Sequence, residues 1–111
     1  MYLDPSLQIP GIDYSKLSSD PSIVNFVPLS TGTLYIFQRP GLQIPMHTHI
    51  EKRCHYTLVL KGQFAILKGC GIVIANPMDF LDYQENEPHS ITCQTPGMIW
   101  NAFRYGVKAL E

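Results

Sequence analysis

Short apolar runs alternate along the chain with clusters of Gly, Pro, Asn and Asp. The runs are about five to seven residues long and rich in β-branched and aromatic side chains, which is the signature of strands bounded by turns. They predict strands near Ser22–Val27, Thr33–Gln38, Leu42–His47, His55–Leu60, Gln63–Leu67, Ile72–Ala75, Asp79–Tyr83, Ser90–Cys93 and Met98–Tyr105. Nine prolines and eight glycines spread over the whole length leave few windows for a helix. Lys61-Gly62, between two apolar runs, predicts a tight hairpin, and Lys68-Gly69-Cys70-Gly71 a second turn. Residues 1–20 read as an irregular arm with one helical turn around Tyr14–Ser19, and residues 21–111 as a single β domain. Many short strands at regular spacing point to a sandwich or a barrel.

Composition narrows the function classes. A chain of 111 residues and 12.5 kDa has room for one domain, and 45% apolar residues argue against wholesale disorder. The net charge of −1, without a basic stripe, argues against nucleic acid as a partner. No apolar run reaches the roughly 18 residues of a membrane span. Asp4, Pro5 and Pro10 stand where a signal peptide carries lysine and an apolar block, so a cytoplasmic location is expected. Three cysteines, Cys54, Cys70 and Cys93, form no C-x-x-C pair and make no disulfide framework. Cys54 and Cys93 read as small buried hydrophobes.

The chemistry lies in four histidines: His47, His49, His55 and His89. Side chains at i and i+2 of a strand share a face, so His47 and His49 present two imidazoles together, with Thr48 opposite. Two neutral nitrogens so placed suit a single transition-metal ion. Gly41 precedes His47, and His55 opens the run to Gly62. Further on, Pro88-His89 closes the segment that starts at Gln84.

This pattern resembles the cupin superfamily. Gly41, His47, His49 and Gly62 match the first cupin motif, G-x5-H-x-H-x3–4-E-x6-G, in order. His55 stands in the place of its glutamate. The second motif is looser: Met78-Asp79 replaces Gly-Asp, Gln84 replaces a proline, Asn86 replaces a glycine, and Pro88-His89 is kept. The resemblance covers roughly residues 32–105 and implies a single cupin barrel, a jelly-roll or double-stranded β-helix. It also implies that His47, His49 and His89 are metal ligands, with His55 as the fourth. Five residues separate His49 from His55 where the family has three or four, which calls for a bulge or longer loop at residues 50–54. Glu51 and Cys54 remain alternative fourth ligands, although parity counted back from Gly62 favours His55.

Four imidazoles would leave the charge of one divalent ion uncompensated and favour an anionic ligand; Fe, Mn, Ni, Cu and Zn all suit such a set. Strand parity places Gln43 and Pro45 with His47, Thr57 and Val59 with His55, and Ile91 and Cys93 with His89; Phe64 and Ile66 continue the inner face. Gln43, Thr57, Phe64 and Cys93 are therefore the candidate substrate-lining residues. Arg53 could pair with a substrate carboxylate. Tyr56, Trp100, Phe103 and Tyr105 read as core or interface aromatics. The expectation is a small metalloenzyme of oxygenase type acting on a small organic molecule. A non-catalytic metal- or ligand-binding barrel and a carbohydrate isomerase are the alternatives. The resemblance also implies a homodimer, with the apolar run Met98–Tyr105 as one face.

Overall fold

The structure, a computed structural model, describes residues 7–47, 55–69, 71–83 and 87–103, the side chains of His55 and Phe103 excepted. Seven strands follow one another: β1 (Asn25–Leu29), β2 (Gly32–Phe37), β3 (Gln43–His47), β4 (His55–Lys68), β5 (Gly71–Ala75), β6 (Phe80–Asp82) and β7 (His89–Phe103). Every pairing is antiparallel. Among the described residues no helix is long and apolar enough to cross a membrane.

The architecture follows from the two long strands. β4 and β7 pair from His55↔Phe103 to Lys68↔His89. The first half of β7 takes β3 on its other side, and the second half takes β2, which in turn pairs with β1. The first half of β4 takes β6, and its last five residues take β5. The result is two layers, β1-β2-β7-β4-β6 and β3-β7-β4-β5, joined through β4 and β7. Both strands crease at the register shifts between Val59 and Phe64, which lets the layers face each other. This is an all-β jelly-roll barrel.

The crease corrects one expected turn and merges two expected strands. Lys61-Gly62 is not a hairpin; β4 continues through it. The strands expected at Ser90–Cys93 and from Met98 onward are parts of one strand, β7. Gly62 has φ +80°, open to glycine at little cost, and a Cβ there would lie 2.6 Å from the Pro96 carbonyl oxygen. Glycine at such a point signals a bend as readily as a chain reversal. Lys68 pairs with Gly71 where β4 gives way to β5, at the second expected turn; Cys70 lies outside the described residues.

Facing side chains of the two layers make the main core. Phe37, Val59, Phe64, Ile66, Ala75, Leu81, Tyr83, Ile91, Cys93 and Ile99 are all buried in one cluster. Each fully buried aliphatic or aromatic side chain contributes about 1.5–3 kcal/mol. A second cluster lies on the outer face of the β1-side layer, where Leu7 and Tyr14 cover Leu34, Ile36 and Met98. The helical turn expected near Tyr14 is a single turn closed by Leu17 N donating to the Tyr14 carbonyl at 3.2 Å. Asn25 ties the segment down through two bonds with Ser18, at 3.0 and 2.9 Å. Met98 and Ile99 are fully buried, and β7 has a neighbour on each side. Within the run expected to form a dimer face, Met98, Ile99 and Asn101 are buried and Trp100 and Ala102 half-buried; the Phe103 side chain and Tyr105 lie outside the described residues.

Candidate metal centre

His47 and His89 stand directly opposite each other on β3 and β7. Their alignment depends on an irregularity. Ile44 pairs with Ile91 and His47 with His89, so three steps on β3 match two on β7. The extra residue keeps Ile44 and His47 on the same inner side, against simple parity. Gln43 pairs with Thr92, which lies between the core residues Ile91 and Cys93 and so faces outward. Its amide donates to the Thr92 hydroxyl at 3.1 Å. The expectation that Gln43 shares a face with His47 and lines a pocket is thus corrected. Pro45 was the available signal, since proline inside a strand marks a bulge or an edge.

The two imidazole centroids lie 4.2 Å apart with the rings tilted by 60°. His47 Nδ1 lies 2.7 Å from the Pro45 carbonyl oxygen, and His89 Nδ1 lies 3.0 Å from that of Glu87. A carbonyl can only accept, so each Nδ1 carries a proton, and in the neutral ring the lone pair is on Nε2. A ligating histidine ordinarily donates its second nitrogen in this way, which fixes tautomer and ring orientation. His89 is 2% exposed. Burial holds its pKa below the ordinary imidazole value, neighbouring His47 acts in the same direction, and the bond to Glu87 opposes them. The neutral form, the one that binds metal, is favoured. The donor set fits a borderline transition-metal ion.

Around this pair lies a polar chain that sequence reasoning largely missed. Tyr83 stacks on His89 with centroids 3.9 Å apart and planes within 11°. Its hydroxyl donates to Thr57 Oγ1 at 2.8 Å, and Thr57 Oγ1 donates to Asn101 Oδ1 at 2.6 Å. Burial pushes the phenol pKa up to about 12, so it remains a donor at neutral pH. The chain links the layer bearing Thr57 and Asn101 to the His89 ring of the other layer. Lys68 donates to the Asp82 carbonyl at 2.6 Å, with its ammonium 5.5 Å from the Tyr83 ring centroid and 3.9 Å from the Glu87 carboxylate. Asn101 was visible as a polar residue on the inner parity of an apolar run. Tyr83 and Lys68 gave no such signal.

Thr57 faces the interior as expected, fully buried within this chain. Phe64 and Cys93 are corrected from substrate-lining to core positions. Phe64 meets Phe37 edge to face at 5.0 Å, and Cys93 Sγ donates to the Thr95 carbonyl at 3.1 Å. Burial pushes the Cys93 thiol up to about 11. Cys93 in the folded protein should therefore resist iodoacetamide at pH 8 and react fully in denaturant, read peptide by peptide by mass spectrometry; prompt labelling of the native protein would contradict its burial. His49, Glu51, Arg53 and Cys54 lie outside the described residues. His55 opens β4 opposite Phe103, its side chain outside the description. Among the described residues no group of three or more His, Cys, Asp or Glu side chains forms a cluster.

No protein-family model matches the chain, and no curated protein sequence matches it significantly. Solved structures do. A cupin superfamily protein from Desulfitobacterium hafniense superposes with a TM-score of 0.66 at 14% identity, over 78% of this chain and 82% of that one. An RmlC-like cupin from Shewanella frigidimarina superposes with a TM-score of 0.60 at 15% identity, over 78% and 91%. The chain has the cupin fold. Drosophila melanogaster CENP-C, in a structure bound to CAL1, shares this cupin fold with a TM-score of 0.57 at 12% identity, over 77% and 82%. Relatives this distant fix the cupin architecture, and the chemistry has to be argued from the site.

Proposed function

We propose that this cupin barrel holds one divalent transition-metal ion at the β3–β7 mouth and acts as a small metalloenzyme, of oxygenase type, on an anionic organic molecule. The observation that carries the reading is the paired imidazoles of His47 and His89, each with Nδ1 anchored on a backbone carbonyl. His49 and His55 would complete the ligand set, with Glu51 or Cys54 as alternatives to His55. Bound there, the ion supplies Lewis acidity for a substrate oxygen or water, and Fe, Mn, Ni, Cu and Zn all suit these donors. The chain's own contribution is to hold rings and exclude water. Tyr83 fixes the plane of His89, and Thr57 and Asn101 fix Tyr83.

One feature favours a second reading, a non-catalytic metal-binding barrel: Tyr83 lies flat on His89 and closes one side of that ring. A carbohydrate isomerase has less support, because the polar groups inside bond to one another. The deciding experiment is metal analysis of the purified protein, followed by oxygen uptake with β-diketones and enols after loading each candidate metal. Near one ion per chain with uptake supports the enzyme. One ion per chain without turnover supports the binder. No metal after dialysis against any of the five sinks both.

A further inference from the structure

Lys68 occupies a position that its charge alone would not choose. Register puts it on the inner face of β4, in line with the core residues Phe64 and Ile66 and directly across from His89 on β7. Its side chain is 27% exposed. A cation drawn that far out of water costs free energy unless it is paired and hydrogen-bonded. Its partners lie on one short stretch of chain, the connection from β6 to β7. The ammonium donates to the Asp82 carbonyl at 2.6 Å and lies 3.9 Å from the Glu87 carboxylate. Asp82 is the last residue of β6, and Glu87 stands two residues before β7 begins at His89. One cation thus ties together both ends of the connection.

Those two ends carry rings of the candidate metal centre. Tyr83 follows Asp82, and its ring centroid lies 5.5 Å from the same ammonium, within cation–π range. Glu87 supplies the carbonyl acceptor for His89 Nδ1, at 3.0 Å. Tyr83 and His89 stack at 3.9 Å. The adjoining turn repeats the grip. Gly69 N donates to the Pro88 carbonyl at 3.2 Å. Gly69 itself, at φ +55°, leaves room for the Glu87 carboxylate: a Cβ there would lie 2.8 Å from Oε2. Three consecutive residues are therefore held from the end of β4: Glu87 by its carboxylate, Pro88 by its carbonyl and His89 by strand pairing.

We propose that Lys68 is a positioning residue for His89. By joining Asp82 to Glu87 it sets the spacing at which Tyr83 stacks on the imidazole and the Glu87 carbonyl accepts from Nδ1. Lys68 acts through the backbone of Glu87 and the ring of Tyr83, and is not itself a ligand. With it in place the neutral imidazole keeps its lone pair on Nε2, the atom offered to a metal. Without it, Glu87 and Tyr83 lose their common anchor, and the ring is released to turn or to exchange tautomers. The consequence for metal affinity rests on the function proposed above; the consequence for the ring does not.

Nitrogen-15 NMR of the histidine rings in the full-length, metal-free protein at pH 8 reads the tautomer directly. Wild-type His89 should show one form, protonated at Nδ1, with its ring protons displaced by the Tyr83 ring. Lys68→Met keeps the apolar stem and removes the ammonium. It should bring the Nε2-protonated form into view and reduce that displacement, and Zn affinity should fall by about tenfold or more. Lys68→Arg, which can donate to a carbonyl and a carboxylate together, should restore the wild-type readings. A lysine with a merely structural role would lower the melting temperature and leave the tautomer and the ring displacement unchanged. That result would overturn the inference, as would two tautomers in the wild type or an arginine variant indistinguishable from the methionine one. Should Lys68→Met fail to fold, Glu87→Gln takes its place, since it keeps the side-chain shape and removes the ion pair; the same ring changes are expected. A wild type that binds no metal, with ring changes in the variants as described, would end the metal reading and leave the positioning role standing.

Discussion

Gly97→Ala is expected to destabilise the fold by about 4 kcal/mol or more, at the extreme of single-substitution effects. A Cβ at Gly97 would collide with the Lys61 carbonyl oxygen and lie 2.8 Å from the Gly62 Cα. Both are backbone atoms of the creased partner strand, so no side chain can swing aside. Relief requires β4 and β7 to separate where they carry the chain from one layer to the other. Because total stability for a domain is about 5–15 kcal/mol, the variant should be marginal, with its melting temperature lowered by roughly 15–30 °C. Gly71→Ala is the control: nothing lies within 4 Å of its added Cβ and its φ is not positive, so it should change stability by no more than about 0.5 kcal/mol. Thermal and urea unfolding of the pair, followed by circular dichroism, check both expectations. Equal stability of the two variants would mean that the crease is not as tightly packed as the geometry indicates.

The same crease explains what could be read from the sequence and what could not. The pattern of short β-branched and aromatic runs between turn residues located each described strand, because that preference is imposed locally by the pleat. It could not tell a turn from a bend. Gly62 and Gly97 punctuate the chain as turn glycines would, and only the pairing of β4 with β7 along both halves shows that the strands continue. Parity failed at β3 for a related reason. One inserted residue near Pro45 reverses the face of everything before it, so Gln43 was read on the wrong side while His47 was not. The His47–His89 pairing was legible through the cupin resemblance, whose two motifs put those positions on neighbouring strands. Tyr83 was not, since its stacking partner arrives from the other layer and no local pattern encodes that meeting.

His47→Ala is expected to lower metal affinity by about 100-fold or more. Loss of a partner that merely orients a ligand costs about 10–100-fold, and loss of the ligand itself should exceed that. His47 is the better residue to remove, because it is half-buried, whereas truncating His89 would open a hole beneath Tyr83. The folded barrel should survive, since His47 ends β3 and belongs to neither hydrophobic cluster. Tyr83→Phe supplies the companion test. The ring keeps its stacking on His89 but loses the bond to Thr57, so affinity should fall less than in His47→Ala while stability falls by about 1 kcal/mol. Titration of Zn or Co into the metal-free protein, with absorbance for Co and calorimetry for Zn, reads the affinities directly, and unfolding reads the stabilities. Undiminished binding in His47→Ala would remove the imidazole pair from the site. An affinity loss in Tyr83→Phe as large as in His47→Ala would instead make the phenol oxygen a participant in binding, and not only a support for the His89 ring.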